Sequence, residues 1–197
     1  MPLNIEIVLF PGFDELDAIA PFEVLQNAAA AGADFAVRLV APSPTTVAGN
    51  HGLKVAVEAK LGQPDLLIVP GGGWVRGGTG VRAEVARGEL PARIAELHRS
   101  GSIVASVCTG AVLLAAAGIL RGRRATTHHQ ALDDLRQTGA VLVDARVVDD
   151  GDIVSAGGVT SGLDLALWLT ERFAGRDIAR LVERELEYER RGPLALR

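Results

Sequence analysis

Runs of branched apolar residues recur along this chain, and stretches with helical spacing separate them. Ile5 to Phe10 is apolar apart from Glu6 and reads as a buried strand. Asp14 to Ala31 reads as helical, with Pro21 expected to break or kink it. Ala36 to Ala41 is a second strand, closed by Pro42 and Pro44. Leu53 to Ala59 alternates at period two, as a strand with one buried face does. Leu66 to Val69 is a short apolar run that stops at Pro70-Gly-Gly-Gly73.

Further along, Pro91 to Arg99 reads as an amphipathic helix with proline in its first turn. Ile103 to Val107 reads as a strand and Thr109 to Leu120 as a helix. Gln130 to Gln137 is a polar-faced helix stopped by Gly139. Val141 to Val148 and Ile153 to Ser155 read as strands around the turn Asp149-Asp-Gly-Asp152. Thr160 to Arg172 and Asp177 to Arg190 read as closing helices.

Strands alternating with helices imply βαβ units. The expected class is α/β, with a mostly parallel sheet covered on both faces, hence three layers. No repeat or long linker divides the chain, so residues 1–197 read as a single domain. In such sheets ligands bind outside the carboxyl ends of the strands. Phe10-Pro-Gly-Phe13, Pro70-Gly-Gly-Gly73 and Val107-Cys-Thr-Gly110 all fall at strand ends of that kind, so topology is expected to gather them.

Composition narrows the partners. The chain has 197 residues and 48% apolar content, enough for a sizeable core. Its net charge of −4 lacks the basic footprint of a nucleic-acid binder. A single cysteine closes no internal disulfide. No apolar run reaches about 18 residues without a break or a charge. The first ten residues carry neither a basic region nor a small-residue cleavage site. The expectation is a soluble cytoplasmic protein acting on a small molecule, with no nucleic acid and no membrane. The four histidines and one cysteine show no i,i+4 histidine pair and no CxxC, so no metal site is expected.

The single cysteine, Cys108, sits where a strand-like run ends and a helix-like run begins. A nucleophile elbow needs small residues two positions before and after, because the backbone is crowded there. Those positions hold Ser106 and Gly110. A lone cysteine is more often inert packing, but the elbow context favours a nucleophile. At the start of the following helix the unpaired N–H groups and the helix dipole are expected to lower the thiol pKa. The Thr109 amide would face the same space and bind a developing anion.

Carboxylates follow the first strand. Asp14 suits a helix N-cap. Asp17 is followed by Ala-Ile-Ala-Pro-Phe, a setting that would bury it and equip it to carry protons. On residue type alone, an exposed carboxylate at the helix start is the commoner outcome. Pro70-Gly-Gly-Gly73 can expose backbone N–H donors to a ligand, or be a plain turn. No Gly-Lys-Ser/Thr follows, so it is not a phosphate loop. His128 and His129 follow Ala125-Thr-Thr127, where they could serve as a base or as a polar rim.

Taken together, the chain resembles the ThiJ/PfpI superfamily over nearly its full length. The pieces that carry the resemblance are Phe10-Pro-Gly-Phe-Asp-Glu-Leu-Asp17 with Pro21-Phe-Glu-Val-Leu25, Val69-Pro-Gly-Gly72, Val107-Cys-Thr-Gly110, Ala125-Thr-Thr-His128 and Ser155-Ala-Gly-Gly-Val-Thr-Ser-Gly-Leu-Asp164. The resemblance implies a flavodoxin-like three-layer sandwich, related to class I glutamine amidotransferases, and a homodimer. Within the superfamily the chain is most similar to the isonitrile hydratase branch, whose members convert isonitriles to N-substituted formamides without a cofactor. That branch implies Cys108, Asp17 and Thr109 as the catalytic set. It places oxyanion-type donors at Gly71, Gly72 and Thr109, and His128 near the pocket.

Several departures bear on function. The peptidase-like branch has histidine directly after the cysteine; here that residue is Thr109. Glutamine amidotransferases need a later His-x-Glu pair, which the C-terminal third lacks. The position after His128 is often tryptophan in the hydratase-like group and is His129 here. The tail Tyr188-Glu-Arg-Arg-Gly-Pro193 is not the Pro-rich apolar ending of that group. Related regulators carry a helix-turn-helix module, for which the segment after the last helix leaves no room. The leading expectation is therefore an isonitrile hydratase-like lyase. The alternatives are a glyoxalase or deglycase acting on α-oxoaldehydes, and a non-catalytic cysteine redox sensor.

Overall fold

The apolar runs of the sequence become the middle of a parallel sheet, because only strands covered on both faces can be apolar throughout. The computed structural model describes residues 1–75 and 78–197. The chain begins with β1 (Leu3–Val8), α1 (Glu15–Ala30) and β2 (Phe35–Ala41). A hairpin of β3 (Thr45–Ala48) and β4 (Lys54–Val57) follows, then β5 (Ala59–Lys60) and β6 (Leu66–Val69). Helices α2 (Val81–Arg87) and α3 (Glu89–Arg99) lead to β7 (Ile103–Val107) and α4 (Gly110–Ala116). Next come β8 (Arg124–Ala125), a tight helical turn at His129–Ala131, α5 (Leu132–Gln137) and β9 (Val141–Leu142). The last elements are β10 (Val147–Asp149), β11 (Ile153–Ala156), α6 (Ser161–Ala174), α7 (Arg176–Glu185) and β12 (Leu194–Leu196).

Among the described residues the main sheet has eight strands, in the order β12-β10-β11-β7-β6-β1-β2-β5. Its pairings are parallel except for the antiparallel hairpin of β10 and β11. Ile5 of β1 faces Val37 on one side and Leu66 on the other. Helices α1, α6 and α7 pack together as one layer, and α2, α3, α4 and α5 as another. The fold is α/β, with a mostly parallel sheet flanked by helices, consistent with a flavodoxin-like sandwich. Ile5, Ile7, Leu66, Leu67 and Ile68 have no exposed surface and form the centre of the core. Glu6 is buried in the same strand. Its carboxylate is satisfied by Arg38 at 2.8 Å and by the Gly62 N–H at 2.8 Å, as a buried charge requires.

Several elements differ from the sequence pattern for identifiable reasons. Helix α1 runs unbroken through Pro21. The ring is buried where α6 crosses: a Cβ at Gly162 would stand 3.3 Å from Cδ and Cγ of Pro21. Tertiary packing of this kind overrides the local penalty of the lost backbone hydrogen bond. The period-two run over 53–59 divides into β4 and β5, which belong to different sheets, and β4 pairs with β3 instead. The run over 141–148 likewise divides into β9 and β10. Helix α4 stops at Ala116, shorter than the apolar spacing predicts, and Gly118 turns the chain at φ 78°. The last helix ends at Glu185. The tail beyond it returns to the sheet as β12, pinned where Asp164 accepts from the Tyr188 hydroxyl and from the Arg191 N–H.

Candidate active site

Strands β7, β6 and β1 are neighbours, so their carboxyl ends bring Cys108, Gly71–Gly72 and Asp17 to one place. Cys108 follows β7 with φ 56°, the left-handed conformation of a strained elbow. Gly110 is small of necessity, since a Cβ there would lie 2.2 Å from the Val69 carbonyl oxygen. The elbow is anchored at both backbone groups. The Cys108 N–H donates to the Gly157 carbonyl at 2.8 Å, and Thr127 Oγ1 donates to the Cys108 carbonyl at 2.8 Å. Ser106, two residues earlier, is buried, and its hydroxyl has no partner among the described residues.

Cys108 is only 6% exposed. Burial pushes its pKa up to about 12, and the neighbouring Asp17 carboxylate adds to the rise. The backbone N–H groups of Val159 and Thr109 point at the sulfur and oppose the shift without overcoming it. The lowered thiol pKa expected from a helix N-terminus is therefore not what forms. Helix α4 is seven residues long, and desolvation outweighs its dipole. Val159 reaches the sulfur only by adopting φ 38°, a costly conformation for a β-branched residue.

Asp17, in the first turn of α1, has no exposed surface. Asp14 caps the helix by accepting from the Leu16 N–H. Oδ2 of Asp17 accepts from the Gly71 N–H at 2.9 Å, while Oδ1 has no hydrogen-bond partner among the described residues. The Cys108 thiol lies alongside as a weak donor. Burial, with the charge of Asp14, raises the Asp17 carboxyl well above the usual range, against the Gly71 and Cys108 contacts. Asp17 is thus buried, with its carboxyl pKa raised, rather than an exposed helix-start carboxylate.

The expected backbone donors are engaged inside the protein. The Gly71 N–H is on Asp17, and the Gly72 N–H donates to Thr109 Oγ1 at 3.0 Å. Gly71 is where the parts converge: a Cβ there would stand 2.6 Å from both N and Oγ1 of Thr109 and 2.9 Å from Oδ2 of Asp17. Of the sequence-derived oxyanion donors, the Thr109 amide faces the sulfur; those of Gly71 and Gly72 hold Asp17 and Thr109 in place.

His128 follows β8 and its Nδ1 accepts from the Gln130 N–H at 3.2 Å. That bond assigns the proton to Nε2. Burial, then the neighbouring His129, lowers its pKa and keeps it neutral. The two rings stack at 4.2 Å. Gly158 packs behind His128, with a would-be Cβ 2.5 Å from its Cδ2. His128 is thus a neutral donor on the wall.

Cys108, Thr109, Gly72 and His128 line a cavity of about 140 Å³ together with Asp14, Asn50, Trp74 and Val159. A larger cavity, about 500 Å³, lies between α1 and α7 and contains none of these groups, so chemistry rather than size identifies the site. Asn50, Trp74 and Val159 are not singled out by the sequence. Trp74 had a weak signal, an aromatic residue directly after the glycine turn; Val159 stood inside the Ser155–Asp164 motif with no role assigned, and Asn50 had no signal. Among the described residues, no group of three or more His, Cys, Asp or Glu is placed to hold a metal ion. Nor is any helix long and apolar enough to cross a membrane.

The sequence model of the DJ-1/PfpI family matches residues 4–172. An isonitrile hydratase from Pseudomonas putida is 37% identical over 191 residues, covering 95% of this chain and 79% of that protein. A deglycase from Pyrococcus horikoshii is 32% identical over 165 residues, covering 81% of this chain and 90% of that protein. A ThiJ/PfpI family protein from Pseudomonas syringae superposes with a TM-score of 0.84 at 27% identity, covering 98% of this chain and 78% of that one.

Proposed function

The chain belongs to the DJ-1/PfpI family, and from that premise we propose that it is a cofactor-independent hydratase of the isonitrile hydratase type. It adds water to R–N≡C and releases the N-substituted formamide. The observation that carries this reading is the buried Asp17 carboxyl, raised well above its ordinary pKa, next to the Cys108 thiol and with Oδ1 unpartnered among the described residues. The terminal carbon of an isonitrile holds a lone pair and takes a proton before it accepts a nucleophile. A protonated acid next to a neutral thiol suits that order.

The steps balance within the site. Asp17 gives its proton to the terminal carbon, a C–S bond forms, and the thiol proton passes to the Asp17 carboxylate. The product is the thioimidate R–N=CH–S on Cys108. Water adds to that carbon while a proton reaches nitrogen. The C–S bond then breaks, the hydroxyl becomes the formyl carbonyl, and its proton returns to sulfur. The N–H groups of Val159 and Thr109 stabilise sulfur as it leaves. Thr109 Oγ1, accepting from Gly72, keeps its own proton to orient the water. The assembly proposed is a homodimer of single-domain chains acting in the cytoplasm without nucleic acid.

The test is an assay of isonitriles on wild type and Cys108→Ala in parallel. Formamide from wild type and none above background from the variant supports the reading; full activity in the variant rejects the covalent route. The deglycase relative supports a second reading, isomerisation of α-oxoaldehydes with His128 as second proton carrier. The engagement of Nδ1 by Gln130 weighs against a basic His128. Lactate formed from methylglyoxal would favour it. A redox sensor calls for an exposed thiol; the burial of Cys108, 6% exposed, supports the hydratase reading over it.

A further inference from the structure

Trp74 directly follows the glycine turn after β6 and lines the cavity of Cys108. Two other elements hold it. Asp134 of α5 accepts from Nε1 at 2.6 Å. Arg82 of α2 donates to the Trp74 carbonyl at 2.8 Å, and its guanidinium stands 4.8 Å from the ring centroid. A loop tryptophan supported only by its own backbone would be free to turn; this one is tied at its edge and across one face. The side chain is half-buried, so the ring retains apolar surface for a ligand. Val75 and Val159 add to the same apolar wall.

The charge of the cavity is the second observation. Among its described lining residues there is no Lys or Arg, and Asp14 is one of them. The Asp14 carboxylate acts on Asp17, on Cys108 and on His128 alike, pushing each toward its protonated form. Its field therefore reaches the titrating groups around the reaction centre. A second negative charge brought into this partly desolvated space would be repelled more strongly than in water.

We propose that Trp74 is the specificity-determining wall of the site, and that it selects uncharged substrates carrying one compact apolar substituent. This rests on the hydratase reading: the reacting carbon sits at Cys108 and the substituent lies against the indole. A cavity of about 140 Å³ leaves room for a small ring and little more. Asp134 is a positioning residue, acting through the indole N–H.

The experiment compares kcat and KM of wild type, Trp74→Ala, Asp134→Ala and Asp134→Asn on benzyl isocyanide and methyl isocyanide. Trp74→Ala is expected to lose about 10- to 100-fold in kcat/KM for the benzyl substrate, mostly through KM, on the scale of a lost apolar contact. Methyl isocyanide should change little. Asp134→Ala should follow the same pattern and Asp134→Asn, which keeps an acceptor, should restore it. Wild type should also prefer methyl isocyanoacetate to the isocyanoacetate anion by at least about tenfold, equivalent to about 1.4 kcal/mol. Equal losses on both isonitriles, or equal rates for ester and anion, overturn the proposal. If wild type hydrates no isonitrile, the function reading fails and the inference is judged by binding alone. Trp168→Phe leaves Trp74 as the single tryptophan of the chain. Quenching of its fluorescence by N-benzylformamide and not by N-formylglycinate then supports the selectivity; equal quenching, or none, overturns it.

Discussion

The Gly71 N–H donates to Oδ2 of Asp17 at 2.9 Å, joining chain segments 54 positions apart. One carboxyl oxygen is thereby fixed to the backbone while the other is left without a hydrogen-bond partner among the described residues. The bond lowers the carboxyl pKa, and burial raises it further than the bond can lower it. A proton is therefore stored beside a thiol that is itself protonated. On the proposed hydratase route the reaction starts from this neutral pair, not from a thiolate.

Replacing Asp17 by Asn removes the proton and keeps the shape. We expect kcat/KM for isonitriles to fall about 10²- to 10⁴-fold, the range of a lost general acid. The wild-type rate should fall on the alkaline side as Asp17 loses its proton, and Asp17→Asn should lack that limb. A wild-type rate that climbs with pH instead would mean that thiolate formation, not the stored proton, limits turnover.

The same carboxyl links stability to pH. Its folded pKa lies above the unfolded value of 3.8, so the folded state holds the proton more tightly. That contribution is complete below the unfolded pKa and is lost as pH rises through the folded one. Asp17→Asn should therefore melt above wild type at neutral and alkaline pH, by about 2–4 °C for each ~1 kcal/mol relieved. The two melting curves should converge as pH falls to about 4. Thermal unfolding across pH checks this; a variant that melts lower at every pH contradicts it.

Gly71→Ala places a methyl 2.6 Å from N and Oγ1 of Thr109 and 2.9 Å from the Asp17 carboxyl. Two of these neighbours belong to the reaction centre and one is backbone, so the site must spread. We expect kcat/KM to fall about 10²-fold, the scale of a small misplacement of reacting groups. Circular dichroism and kinetics on the same sample separate this from unfolding: activity should fall far more than the folded fraction.

Thr109→Val keeps the side-chain shape and deletes the acceptor for the Gly72 N–H. An unpaired buried donor destabilises the fold by about 1–3 kcal/mol. With no hydroxyl to hold water, kcat should fall about 10²-fold, with KM changing less. Thr109→Ser, which restores the hydroxyl, should recover most of the rate. Equal activity in the valine and serine variants would remove Thr109 from the mechanism.

Much of this site is legible in the sequence because local backbone chemistry dictates it. The elbow is visible from Ser106 and Gly110, since crowding at the turn admits only small residues. Three strand-end motifs, one of them glycine-rich, point to one edge of a parallel sheet, and the sheet order gathers them. What was hidden depends on contacts between distant segments. The thiol pKa has the opposite sign to the one read from a helix N-terminus, because α4 is short and Cys108 is buried. Gly71 and Gly72 were expected to serve a ligand, and they bind Asp17 and Thr109 instead. Pro21 was expected to break or kink a helix; α1 is not broken there, and Gly162 packs against the ring. Val159 stands inside a quoted motif, but its left-handed backbone, which carries its amide to Cys108, is not one a β-branched residue announces.

On the proposed route Cys108 forms a covalent bond with the substrate carbon after Asp17 has supplied a proton. The direct measurement is intact-protein mass spectrometry of wild type mixed with benzyl isocyanide and acid-quenched within the first turnover. A gain equal to the whole mass of the isonitrile is expected, mapped by peptide analysis to Cys108 and absent from Cys108→Ala. Formamide production with no adduct on wild type, and undiminished in Cys108→Ala, would contradict it.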